Sequence, residues 1–198
     1  STYVGNGIDA VILTGDTVAG PVTWNDLGVP YRVSDDVIVE GGPTAILTIA
    51  DGVVAQFDFD AGIVVGNGAT PGRLNTLGAV IGVTFTSSQI VPTPGDWDGI
   101  TLGSNDLGSS LLGLLVEYGG GNGNGNIYIN GSAPSLDGVI SASSTEHGVS
   151  VAGSGARPRI VNSVLRDNDR DGLYVAPAAG IDETATPGST GNLLTANA

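Results

Sequence analysis

The chain has 198 residues, six arginines, no lysine, no cysteine and a net charge of −14. That balance excludes a disulfide framework, thiolate metal sites and a nucleic-acid partner, because phosphate binding needs a cationic surface. No run of 18 apolar residues is present, so no transmembrane segment is expected.

The length suits one domain. Ser1 opens the chain without a basic-then-apolar leader. The bias toward Gly, Thr, Asn, Asp and Val then makes a mature chain, extracellular or at the cell surface, the expectation.

Glycine, proline, asparagine or β-branched residues interrupt every helix-length window, and helix propensity is poor throughout. Short alternating apolar runs take the place of helices. Tyr3 to Leu13 forms a strand-like arm within residues 1–19. Further on come Val37-Ile38-Val39, Ile46 to Ile49, Val53 to Phe57, Val83-Thr84-Phe85 and Ile127-Tyr128-Ile129, each bounded by turn residues. The chain is expected to be all-β.

The second half carries a repeat. Pro134-Ser135-Leu136 registers over Pro158-Arg159-Ile160 at a spacing of 24, and His147-Gly148-Val149 over Asp171-Gly172-Leu173 at the same spacing. Gly99-Ile100-Thr101-Leu102 and Asn126-Ile127-Tyr128-Ile129 extend the series upstream, with steps of 27, 22 and 24 residues. Such a period, built from short strands without helices, specifies a β-solenoid whose coils stack at about 4.8 Å. Roughly seven or eight coils follow, at about 24 residues each. The column should occupy residues 20–175, with a coil or tail over 176–198. Ile100, Ile127, Val149 and Leu173 should form one inward ladder, and Leu102, Ile129, Val151 and Val175 the next. Thr101, Tyr128, Ser150 and Tyr174 should point outward. A leucine-rich horseshoe lacks its asparagine and leucine spacing here, and a β-sandwich would show no register of 24.

Three segments, in order, carry a family resemblance. Ile46 to Phe57 resembles the "LTI-x-x-G-x-x-x-x-F" opening coil of right-handed parallel β-helix, pectate-lyase-like domains on bacterial and archaeal surfaces. Gly72-Arg73-Leu74, Gly78 and Val83 to Ser87 resemble the following "G-x-L…G…I-x-F-T-S" coil. Pro94 to Ile100 matches the "P-G-D-W-x-G-I" turn, and Trp24 and Tyr31 resemble the group's opening segment. The resemblance spans roughly residues 20–175. It implies a right-handed parallel β-helix and no defined activity, because the fold hosts many functions.

Several residues are candidates for chemistry. Asp96 and Asp98 flank Trp97, which suggests either a sugar-stacking platform or a capped corner of the column. Outward Tyr128 and Tyr174 would extend a carbohydrate face. Asp167, Asp169 and Asp171 precede Gly172 with the alternation of a calcium loop, although residue 178 is Ala where a glutamate ligand would stand. Calcium is therefore the one cofactor to consider, against a plain Asn/Asp/Gly turn. His147, the only histidine, is expected as a solvated turn residue, because no nucleophile elbow accompanies it. The paired aspartates, Gly-His-Gly and Arg-x-Lys of pectin hydrolases are not matched, and an enzyme is not the first expectation. Residues 119–126 (GGGNGNGN) are expected to leave the column as an extended loop.

The first function class is thus a structural or adhesive module that stacks end to end. Tyr3, Val11 and Leu13 of the arm would add to a neighbour's open edge, which makes a homo-oligomer or filament the expected partnership. The second class is carbohydrate binding or cleavage on the flank, with surface glycans as partners.

Overall fold

A computed structural model describes residues 5–79, 82–182 and 192–197. Tyr3 lies outside them, and so do residues 183–191 and 198 of the expected tail. The described residues form strands and turns without a helix, as the poor helix propensity demands. Three parallel sheets of eight, seven and six strands run the length of the molecule. Each coil contributes one strand to each sheet, which makes a β-solenoid of about seven turns about 25 residues apart.

The predicted ladder is present in register. Ile100 lies beside Ile127, Ile127 beside Val149 and Val149 beside Leu173, with the outward Thr101, Tyr128, Ser150 and Tyr174 in step. Leu136 likewise lies beside Ile160 in the third sheet. Upstream, Val64 is the register partner of Thr101, a step of 101 − 64 = 37 residues. Turn insertions between the sheets absorb the surplus, so the repeat is hidden in this part of the sequence.

The core is a single apolar column from Trp24 to Leu165. Alternation places Val33, Leu47, Phe57, Phe85, Leu102 and Ile129 fully inside. Two departures from the simple alternation occur. Thr101 and Ser150 stand on the outward side yet are only 8% and 6% exposed. Each is a small side chain set beside Tyr128, and Ser150 has Tyr174 on its other side. Large neighbours about 4.8 Å away overhang it. Conversely, inward Leu173 is only half-buried and Val175 is 36% exposed. Their strand is the last of the second sheet, so no further coil covers it among the described residues.

Pairing extends beyond residues 20–175 at both ends. Val11–Leu13 lies beside Tyr31–Val33, and Asp16–Val18 beside Val37–Val39. At the other end Leu193–Thr195 continues the first sheet beside Val164–Arg166. The arm therefore pairs with its own column. Val11 and Leu13 are half-buried against the core, while Ile12 points out at 48% exposure.

Buried amides satisfy the corners between the first and second sheets. Asn126 is fully buried; its Oδ1 accepts from the Gly119 N–H, and its Nδ2 donates to Ala142 O at 2.8 Å and to Ser141 Oγ at 3.1 Å. Asn168 plays the same part near the C-terminal end, with Oδ1 accepting from the Ser144 N–H and Nδ2 donating to Asn197 Oδ1. Such corners would otherwise leave backbone groups without partners inside the column.

Candidate functional site

The corner PGDWDG resolves into three different roles. Trp97 is fully buried and stacks on Phe57, with ring centroids 4.2 Å apart and planes 12° apart. Its Nε1–H donates to Glu117 O at 2.8 Å. This corrects its candidacy as a sugar platform: both the ring and its polar handle are used inside the column. Gly99 takes a φ of +95°, and a Cβ there would stand 2.7 Å from the carbonyl oxygens of Gly125 and Asn126. Only glycine allows the backbones to approach so closely.

The two flanking aspartates are held oppositely. Partial burial works to raise the Asp96 pKa, but hydrogen bonds from Ser87 Oγ, Thr93 Oγ1 and the Thr93 N–H outweigh it and hold the carboxyl below its ordinary value. Asp96 is a turn clamp with its acceptors in use. Asp98 is raised by burial first, then by repulsion from Asp36 and Asp60. Asp36 is itself raised by burial and by Asp35. These carboxylates from successive coils crowd one corner.

Residues 119–126 do not leave the column, which corrects the expected extended loop. The Gly121 N–H donates to Trp97 O, the Gly123 N–H to Gly120 O and the Asn126 N–H to His147 O. Gly119, Gly120, Gly125 and Asn126 are buried. A Cβ on Gly125 would stand 2.3 Å from His147 O, so the close approach at that point depends on glycine.

Folded back in this way, the segment forms one wall of a cleft of about 530 Å³. Stacked corner positions of successive coils build the rest. The register sets Glu146 against Arg170, with Oε2 2.9 Å from Nε, and His147 against Asp171, with Nδ1 3.3 Å from Oδ2. His147 stacks on Tyr174, with centroids 4.7 Å apart and planes 13° apart. Ser150 lies between Tyr128 and Tyr174 on the adjoining strands. Asn124 and Asp169 also line the cleft.

His147 corrects the expectation of a solvated turn residue. Its side chain is only 12% exposed, and its buried Nδ1 makes no hydrogen bond. Asp171 lies within ion-pair distance but off the line that a hydrogen bond requires.

The three calcium candidates part company. Asp167, with a φ of +55°, pairs with neighbouring Arg166 on the surface. Asp171 faces His147, and Asp169 lines the cleft. Among the described residues no group of three His, Asp or Glu side chains is placed to share a metal ion. Of the carbohydrate candidates only Tyr174 lines the cleft; Tyr128 flanks Ser150 on the same face.

Asn124, Glu146, His147, Ser150 and Arg170 were not proposed as site residues from sequence. The signal was the 24-residue register itself, which sets an acid at 146 beside a base at 170. No protein family, curated protein or solved structure matches this chain.

Proposed function

We propose that this chain is an extracellular adhesive module, a rigid β-solenoid that presents a glycan-binding cleft on its flank. The observation that supports it is the composition of the cleft. A stacked aromatic pair, His147 and Tyr174, stands beside acceptor and donor groups of Glu146, Asp169, Asp171, Asn124 and Ser150. Pyranose rings offer apolar faces for aromatic packing and hydroxyls for carboxylates and amides, and a cleft of this size lies within the usual range of ligand sites. The cleft is built on strand corners of a stacked column, which holds its geometry without ligand. The resemblance to bacterial and archaeal surface β-helix domains, pectate-lyase-like in architecture, supports the extracellular setting.

A glycan array followed by calorimetry tests the reading. At least one oligosaccharide class should bind, and Tyr174→Ala should weaken it at least about tenfold, as loss of an aromatic anchor does. Assay of reducing ends in the same samples separates binding from cleavage. An array silent for the folded protein would remove both.

A second reading, end-to-end assembly, has its own observation. Val11–Leu13, Asp16–Val18 and Pro21–Trp24 each end a sheet, and Leu193–Thr195, Leu173–Val175 and Arg159–Val161 end the same sheets at the far side. Ile12, Val22, Val175, Leu193 and Leu194 are exposed on these strands. Because all pairing is parallel, one copy's last rung meets the next copy's first rung in the same strand sense. That contact is head-to-tail and propagates into a filament. Light scattering across a wide concentration range should show growth beyond the monomer; a constant monomer mass would eliminate the reading.

A further inference from the structure

We propose that the cleft selects a cationic saccharide, an oligomer of amino sugar with free ammonium groups, over neutral or uronate glycans. This rests on the glycan-binding reading and narrows it to a substrate class.

The charges that face the cleft come from three stacked segments. Residues 119–126 contribute Gly123 and the neutral amide Asn124. The next corner contributes Glu146 and His147, and the last contributes Asp169, Arg170 and Asp171. Arg170 is already held on Glu146 at 2.9 Å, so that pair cancels within the wall. Asp169 and Asp171 remain, both exposed, with no arginine on either among the described ion pairs. His147 Nδ1 stands 3.3 Å from Asp171 Oδ2 without a hydrogen bond, so the Asp171 carboxylate keeps its acceptor capacity.

A uronate in this cleft would meet two carboxylates that no arginine neutralises among the described ion pairs, and one arginine that is already engaged. A neutral hexose would find the acceptors but supply no charge. An ammonium group meets both conditions, because each N–H donates to a carboxylate and the charge opposes theirs. The net charge of −14 adds a field that gathers cations toward the surface. The aromatic pair and the Ser150 hydroxyl favour a sugar over a basic peptide, since they suit a ring with one apolar face and a polar rim.

Calorimetry of the full chain with four probes of equal length tests this. The probes are β-1,4-linked glucosamine tetramer, its N-acetylated counterpart, galacturonate tetramer and tetralysine. Glucosamine tetramer should bind at least about tenfold more tightly than the acetylated form, a difference that should shrink as salt rises. Asp169→Asn and Asp171→Asn should each weaken the glucosamine probe by about three- to fivefold, the range of exposed ion pairs, and so narrow its advantage over the acetylated probe, which loses less because it presents no charge. Both positions are on the surface, so the variants should melt as the parent does.

Equal affinity for the two glucosamine probes would overturn the charge selection and leave the glycan reading standing. Preference for galacturonate would overturn it in the same way. Tetralysine bound as tightly as the amino sugar would overturn it in favour of a basic peptide ligand. Binding of none of the four, with other glycans bound on the array, would overturn the amino-sugar assignment alone; silence everywhere would take the glycan reading with it.

Discussion

Replacing Trp97 with alanine is expected to lower the unfolding free energy by about 3–5 kcal/mol, the range for truncating a buried tryptophan. The ring is fully buried, stacked on Phe57 at 4.2 Å, and Phe57 in turn meets Phe85 edge-on at 5.5 Å. Alanine leaves a cavity within this aromatic cluster and removes the donor to Glu117 O. Parallel coils cannot close onto the void, because the strand spacing of the column is set by backbone hydrogen bonds. Trp97→Phe is the control: it keeps a stacking ring and loses the N–H, so a smaller loss of about 1–2 kcal/mol is expected. Urea melts of the three proteins measure both. A Trp97→Ala protein within about 0.5 kcal/mol of the parent, as surface changes are, would show that the side chain is not in the core.

Asn126→Leu should produce the second-largest effect, with a loss of about 2–4 kcal/mol, since each buried group left without a partner costs about 1–3 kcal/mol. The amide satisfies the Gly119 N–H on one side and Ala142 O and Ser141 Oγ on the other. Leucine fills most of the volume but leaves the Gly119 N–H unpaired, and it takes one partner each from Ala142 O, which keeps the Tyr118 N–H, and from Ser141 Oγ, which still donates to Gly148 O. A second consequence concerns the cleft. The bond to Gly119 ties down the start of the glycine-rich wall, and the Gly121 N–H to Trp97 O tie lies next along it. Release of that wall should raise hydrogen exchange at Gly121 and Gly123 more than at Val149 or Val151 in the adjoining strand. A uniform change across all four amides would mean that Asn126 supports the column as a whole and not the wall.

Much of the architecture was legible because solenoid stacking writes itself into spacing. Like residues must recur wherever a coil passes the same point, and the steps of 27, 22 and 24 marked the second sheet correctly from Ile100 to Leu173. The first half was harder to align, since the 37-residue step between Val64 and Thr101 carries turn insertions with no counterpart in other coils.

The candidate site was legible only in pieces. Tyr174, Asp169 and Asp171 were named for separate reasons, one as a sugar contact and two as cation ligands. They share one cleft because all three lie on a single corner, two and three residues apart, and face the corner one coil earlier that carries Glu146 and His147. The choice between Trp97 as platform and Trp97 as capped corner, and the burial of His147, were out of reach of the sequence for a common reason. Both lie in turns, where a sequence gives no sign of what the next coil will lay over them.

Sequence by itself determined the strand content, the inward and outward alternation and the coil register, because each depends on residues near in the chain or one repeat away. Tertiary structure alone decided which outward residues are covered, how the glycine-rich segment folds back and which acids stand apart from an arginine. Those outcomes depend on irregular turns packing against one another, and that packing follows shape and hydrogen bonding that no periodicity encodes. PGDWDG illustrates the division: its place at the start of an inward strand follows from the repeat, whereas the positive φ of Gly99, and the burial of Trp97 between Phe57 and the Glu117 carbonyl, follow from the neighbouring coils.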